Sequence, residues 1–96
     1  MPIDENDLPK YEKKDKLAIV KEFLQSNRGT AYSAEELFKI LFESDFKKYK
    51  DLSEDDRFYG FFRLYEVQNL DKLLRNAEGI LKDEIKYTFY YYISRG

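Results

Sequence analysis

The hydrophobic pattern of this chain changes period near Gly79. Before it, apolar residues recur every three or four positions, which places them on one face of a helix. After it they alternate, as on one face of a strand. Leu17, Val20 and Leu24, widened by Ile19 and Phe23, predict a helix from an N-cap at Asp15 to about Ser26. Asn27-Arg28-Gly29 ends it, with Gly29 as the left-handed residue. Thr30-Ala31-Tyr32 reads as a short extended piece. Ser33-Ala-Glu-Glu36 is a capping box, in which the Ser33 hydroxyl accepts from the Glu36 amide and Glu36 reaches back. It opens a second helix to about Ser44, lined by Leu37, Ile40 and Leu41 with Phe38 and Phe42 beside them.

Phe46-Lys-Lys-Tyr-Lys50 reads as a basic-aromatic connector. Ser53-Glu-Asp-Asp56 repeats the capping logic. Phe58, Phe61, Phe62 and Tyr65 then form one apolar stripe, and Leu70, Leu73, Leu74 and Ala77 a second. At 100° per residue the two are out of phase by roughly 110–120°. One straight helix cannot aim both at one core. A break is expected between Tyr65 and Asn69; the alternative is a single long helix burying two faces. Beyond Gly79, Ile80–Asp83 is a short strand, Glu84–Lys86 a turn and Tyr87–Ile93 a strand. Phe89, Tyr91 and Ile93 suit its inner face, Tyr90 and Tyr92 its outer one. Residues 1–14 read as a polar tail ahead of one domain, 15–96.

The order helix, short strand, helix, further helix or two, hairpin resembles a winged-helix domain of the small archaeal kind. The resemblance rests on Gly29-Thr-Ala-Tyr-Ser-Ala-Glu-Glu-Leu37, similar to that family's junction of helix 1, first strand and helix 2. It rests also on Leu70–Ile93, similar to its recognition helix and wing. The implied fold is α+β: a three- to four-helix core, a short first strand and a C-terminal β-hairpin wing. Two departures stand out. A helix-turn-helix joins its last two helices by a turn of about 3–4 residues, whereas here residues 43–66 intervene. The expected wing turn, Asp83-Glu-Ile-Lys86, has no Asn-Gly signal and carries two acids.

In that family the outer face of the recognition helix enters the DNA major groove. Carried over, Gln68, Asn69, Lys72, Arg75 and Asn76 would read bases, with Lys82 and Lys86 from the wing on the backbone. The plainer reading is a solvated helix face. Composition weakens the DNA reading. Lys and Arg number 17 against 19 Asp and Glu, for a net charge of −2. Affinity for nucleic acid comes largely from neutralising phosphates, so a basic excess is expected of a binder. The densest basic run, Lys47, Lys48, Lys50, Arg57 and Arg63, has Asp45, Asp51 and Glu54–Asp56 beside it.

Aromatic residues make up 18 % of the chain, and exposed aromatics anchor protein partners. Phe46, Tyr49, Tyr90 and Tyr92 are the candidate anchors for a protein-binding module without DNA contact. Packing inside the monomer is the plainer role for the two strand tyrosines. A homodimer through an exposed edge of the last strand is a further expectation.

The chain has no Cys and no His. Thiolate chemistry, disulfides and the commonest general base are therefore excluded. With no nucleophile beside a base and no Gly-rich phosphate loop, no enzymatic activity is expected, and no cofactor. The acidic groups Asp4, Glu5, Asp7 and Glu54, Asp55, Asp56 lack the spacing of a Ca²⁺ loop, so no metal is expected. No apolar run approaches the ~20 residues needed to span a membrane, and the first residues lack the character of a signal peptide. A cytoplasmic DNA-binding regulator or accessory factor is the first expectation, and a protein-docking module the alternative.

Overall fold

The computed structural model describes residues 15–50 and 58–96. These form four helices and three strands: α1 (Lys16–Ser26), β1 (Tyr32–Ser33), α2 (Ala34–Leu41), α3 (Glu43–Lys50), α4 (Tyr59–Arg75), β2 (Leu81–Ile85) and β3 (Thr88–Tyr92). The class is α+β. The strands make one antiparallel sheet in the order β1-β3-β2. The predicted tail and the Ser53–Asp56 cap lie outside the described residues.

The first two helices start where the sequence indicates. The Asp15 carboxylate accepts from the Ala18 amide at 3.2 Å, and α1 buries Val20 and Leu24. Gly29, at φ +86°, turns the chain out of α1, and its amide donates to Ile93 O at 2.9 Å. That bond ties the end of the first helix to the residues after β3. A side chain at Gly29 would run into Arg95. The capping box of α2 is complete: Glu36 N donates to Ser33 Oγ at 3.2 Å, and Ser33 N to Glu36 Oε1 at 3.0 Å. Its inner face is Ala34, Leu37 and Phe38, with Leu41 partly covered. Ile40, expected inside, is exposed.

The expected connector at 46–50 is helical. α2 ends at Leu41, and α3 follows after Phe42, whose carbonyl accepts from the Phe46 amide at 2.9 Å. That geometry swings Phe46 into the core at 0 % exposure, its ring 5.6 Å from Phe38 and 5.9 Å from Tyr59.

No break interrupts α4. It is one helix of 17 residues, and the conflict between its two stripes is resolved by leaving one of them outside. The phase of Leu70 and Leu74 wins. Continued back by turns of three and four, it runs through Val67, Glu66 and Arg63 to buried Tyr59. Phe61, Phe62 and Tyr65 therefore face solvent, at 74 %, 45 % and 64 % exposure. Leu73 is exposed as well.

The hairpin turn is Lys86-Tyr87 rather than Glu84–Lys86, so it begins two residues later than expected and takes in Tyr87, which was expected in the strand. β2 runs to Ile85, and Lys86 and Tyr87 form a two-residue loop with φ +49° and +68°. Two positive φ values are what a type I′ hairpin turn needs, although a bulky residue there is a conformational outlier. Register pairs Tyr91 with Lys82 on one side and Tyr32 on the other. Tyr91 is fully buried and Phe89 half-buried beneath it, so the expected inner face is the observed one. β3 is the central strand, so its edges are not free for self-pairing; the outer edge on this side of the sheet belongs to β2.

Candidate functional site

α4 supplies two different surfaces. Its inward side is tied down by polar groups as well as by leucines. The Arg63 guanidinium donates to Glu43 at 2.5 Å and Glu35 at 3.1 Å, and lies 5.5 Å from the Phe38 ring. The Tyr59 hydroxyl donates to the same Glu43 carboxylate at 3.0 Å. Lys16 reaches Glu66 from α1 at 3.2 Å. Burial alone raises the Glu43 carboxyl, but hydrogen bonds from Arg63 and Tyr59 outweigh it and hold the group below its ordinary value. Tyr59 is raised, by burial and then by Glu43. Arg63 is an inward charge made tolerable by two carboxylates and a ring, the condition for a charge to sit at a core boundary.

At the other end, Asp71 organises the contact between α4 and the sheet. The Tyr91 hydroxyl donates to Asp71 Oδ1 at 2.6 Å, and Arg75 pairs with Oδ2 at 3.1 Å. Burial and then the Asp71 carboxylate push the Tyr91 hydroxyl well above its ordinary value. Arg75 also lies 5.3 Å from the Phe89 ring. Asn76 donates from its amide to Lys72 O at 2.9 Å, closing the helix end.

The seven residues expected to meet DNA separate accordingly. Gln68, Asn69, Lys72 and Arg75 line one open cleft of about 730 Å³ between α4, the start of α2 and the hairpin tip. Ser33, Glu35 and Asp71 are in its wall, as are Leu64, Tyr87 and Phe89. The cleft is thus of mixed sign and partly apolar. Arg75 is engaged with Asp71 and Phe89, and the Asn76 amide with its own helix. Lys82 lies mid-strand on β2 and Lys86 in the turn, both outside the cleft. Four of the seven thus line the cleft, and Asn76, Lys82 and Lys86 are not among its lining residues.

The four expected protein anchors also separate. Phe46 is a core residue, for the reason given above. Tyr49 lies in the last turn of α3, and its side chain is outside the described part of the molecule. Tyr90 and Tyr92 are half-buried on the outer sheet face, which also carries exposed Leu81 and Ile85. Tyr92 donates to Asp83 there at 2.8 Å.

The most exposed large side chains were not among the candidates. Phe61, Tyr65 and Leu64 stand on the outer face of α4, and Tyr87 at the hairpin tip is 97 % exposed. The phase conflict between the two stripes marked the first group, but it was read as a break or as one helix burying two faces, and the third outcome, one stripe left uncovered, is the one observed. Tyr87 carried none, because a β-propensity residue just before an aromatic run reads as strand.

Comparison of the chain with protein families, curated proteins and solved structures returns no match. Among the described residues no helix is long and apolar enough to cross a membrane.

Proposed function

We propose that this chain is a winged-helix-type domain whose recognition helix docks onto protein rather than DNA. The element order supports the fold reading. A helix, a short strand, a helical segment, a long helix and a hairpin follow one another, and the first strand pairs with the last. In that arrangement α4 is the recognition helix and the Lys86-Tyr87 turn the tip of the wing. α3 occupies part of the span where the family has a tight turn.

The observation that carries the functional reading is the outer face of α4 from Phe61 to Tyr65. Its exposed side chains are Phe61, Phe62, Leu64 and Tyr65, and the one charge in this stretch, Arg63, is turned inward to Glu43 and Glu35. A helix that enters a major groove presents hydrogen-bonding and cationic side chains to base edges and phosphates. A neutral aromatic face instead has the composition of a protein hot spot. Arg75 and Asn76, the groups best suited to base contact, are engaged within the monomer.

The test is a titration of labelled duplex DNA at low salt, read by fluorescence anisotropy. Non-specific DNA binders have dissociation constants of about 1–100 µM even at physiological salt. No anisotropy change is expected over that range, nor with Lys72→Ala. Saturable binding that weakens with salt and with Lys72→Ala would restore the DNA reading.

A further inference from the structure

We infer that one flank of α4, formed by Phe62, Tyr65 and Leu73, is the seat of this chain's own segment ahead of α1, with Tyr11 as the anchor. The inference does not depend on what else docks on α4. Phe61 and Leu64 project about 100° and 160° around the helix from Phe62, so they stay open whether or not the seat is filled.

Three observations carry it. The first is a stripe. At 100° per residue, Phe62, Tyr65, Asn69 and Leu73 fall within about 80° of one another. All four are exposed, the three apolar ones at 45 %, 64 % and 40 %. The Phe62 ring lies 6.5 Å from that of Phe58, one turn earlier. The stripe faces away from the cleft, which is walled by Leu64, Val67 and Gln68.

The second is where the chain arrives. Lys16, the first residue of α1, pairs with Glu66 at 3.2 Å. Glu66 projects about 40° from Phe62 and about 20° from Leu73, so this contact borders the stripe. From there α1 advances toward the C-terminal end of α4, where the Lys21 ammonium comes within 3.9 Å of the place of a Cβ on Gly79. Run backward, that course leads from Glu66 toward Phe62. Tyr11 precedes the N-cap Asp15 by four residues, a length of chain that spans up to about 14 Å. Phe62 lies about 6 Å before Glu66 along the helix axis. Tyr11 therefore reaches the stripe with length to spare.

The third is size. At roughly 200 Å² per aromatic side chain, the exposed fractions of Phe62 and Tyr65 amount to about 200 Å². A separate protein or a second copy buries about 800 Å² on each side of a standard interface, so this flank alone holds neither. A tethered segment differs, because a short linker holds it at an effective concentration of about millimolar. One ring and a neighbouring aliphatic side chain match an area of this size. Tyr11 is the one aromatic residue ahead of α1, and Leu8 lies three positions before it.

The chain contains no cysteine, so an engineered pair reports proximity without background. Glu12→Cys combined with Asn69→Cys places thiols beside Tyr11 and within the stripe while keeping both sides of the contact. Glu12→Cys combined with Leu64→Cys, on the far flank, is the control. Each pair is equilibrated in glutathione buffer at low micromolar protein, and the intrachain disulfide gives the effective concentration of the two thiols. The Asn69 pair is expected to exceed the Leu64 pair by about 10-fold or more. Adding Tyr11→Ala to the Asn69 pair should bring it down to the control. Circular dichroism should match the parent throughout, because Asn69 and Leu64 are exposed. Equal values for the two pairs overturn the inference and leave the flank to a separate protein. A disulfide that forms between chains in preference to within one also overturns it and assigns the flank to a second copy. An advantage that survives Tyr11→Ala overturns the role of Tyr11 as anchor. None of these outcomes bears on the duplex DNA titration, so the two readings fail separately.

Discussion

The two halves of α4 follow opposite rules. From Leu70 to Arg75 the helix buries Leu70 and Leu74 and leaves Leu73, Lys72 and Arg75 exposed. From Tyr59 to Tyr65 it turns an arginine toward the core and leaves phenylalanines outside. Both halves belong to one continuous helix and share one inward direction, so the difference lies in what that direction meets. At the C-terminal half it meets Tyr91 and the rest of the apolar cluster. At the N-terminal half it meets α2 and α3, where Glu35, Glu43 and the Phe38 ring make a receptor for a guanidinium. Hydrophobicity alone therefore does not decide which face of a helix is buried. A long helix has one phase, and the half with the stronger set of contacts imposes it on the other.

The largest effect should separate the halves by stability. Leu74 is fully buried, and Leu74→Ala is expected to cost about 2–5 kcal/mol by loss of transfer energy and creation of a cavity. Phe61→Ala removes a larger side chain from a surface position. It should change monomer stability by no more than about 0.5 kcal/mol. Urea denaturation checks both. A Phe61→Ala loss approaching that of Leu74→Ala would mean that the aromatic half has a core of its own.

An intermediate effect is expected from the polar receptor. Arg63→Ala removes hydrogen bonds to Glu43 and Glu35 and should cost about 1–3 kcal/mol, the scale of hydrogen bonds to charged partners. The pH dependence identifies the cause. Glu43 is held below its ordinary value of 4.5 in the folded chain. Its folded-state pKa is depressed, so the unfolded state binds the proton more readily. The pair's stabilisation is therefore fully present above about pH 4.5, and it is lost as pH falls through the lower folded value. Stability measured by denaturant between pH 7 and pH 3 should fall in this window for the parent chain. It should fall less for Arg63→Ala. Parallel profiles would show that Arg63 acts by packing on Phe38 and not by its charge.

The same contrast explains what could be read from the sequence. Caps were legible because they are local. Asp15, and Ser33 with Glu36, involve residues three apart, and the structure has each bond. The inner face of β3 was legible because alternation leaves two choices and the bulkier, less polar face goes inside. The α+β class followed from the change of period at Gly79. What failed depended on distant partners. Phe46 became a core residue because α3 follows α2 with a single residue between them, and no local signal distinguishes a helix of Glu-Ser-Asp-Phe-Lys-Lys-Tyr-Lys from a connector. Arg63 read as part of a basic surface because its acceptors lie 20 and 28 positions earlier. For the candidate site, residue types were right for exposure at Gln68, Asn69 and Lys72. The commitment of Arg75 to Asp71 is an i,i+4 pair that the spacing offered, whereas that of Asn76 to Lys72 O was knowable only once the helix was known to end there. The hairpin turn was missed because Lys-Tyr is an unusual occupant of two positive-φ positions, where Asn-Gly is the expected signal.

The smallest effect bears on why the exposed half contains a glycine at all. Gly60 lies in the first turn of α4, and nothing in the monomer occupies the space of an added Cβ. Alanine there fits the helical backbone and restricts the unfolded chain. Gly60→Ala should therefore stabilise the isolated monomer by about 0.5 kcal/mol, a rise in melting temperature of about 2–4 °C for a domain of this size. Thermal melting of Gly60→Ala beside the parent chain reads the change. Destabilisation of the monomer would show that the first turn of α4 departs from helical geometry, and the contrast between the halves would then begin in the backbone itself.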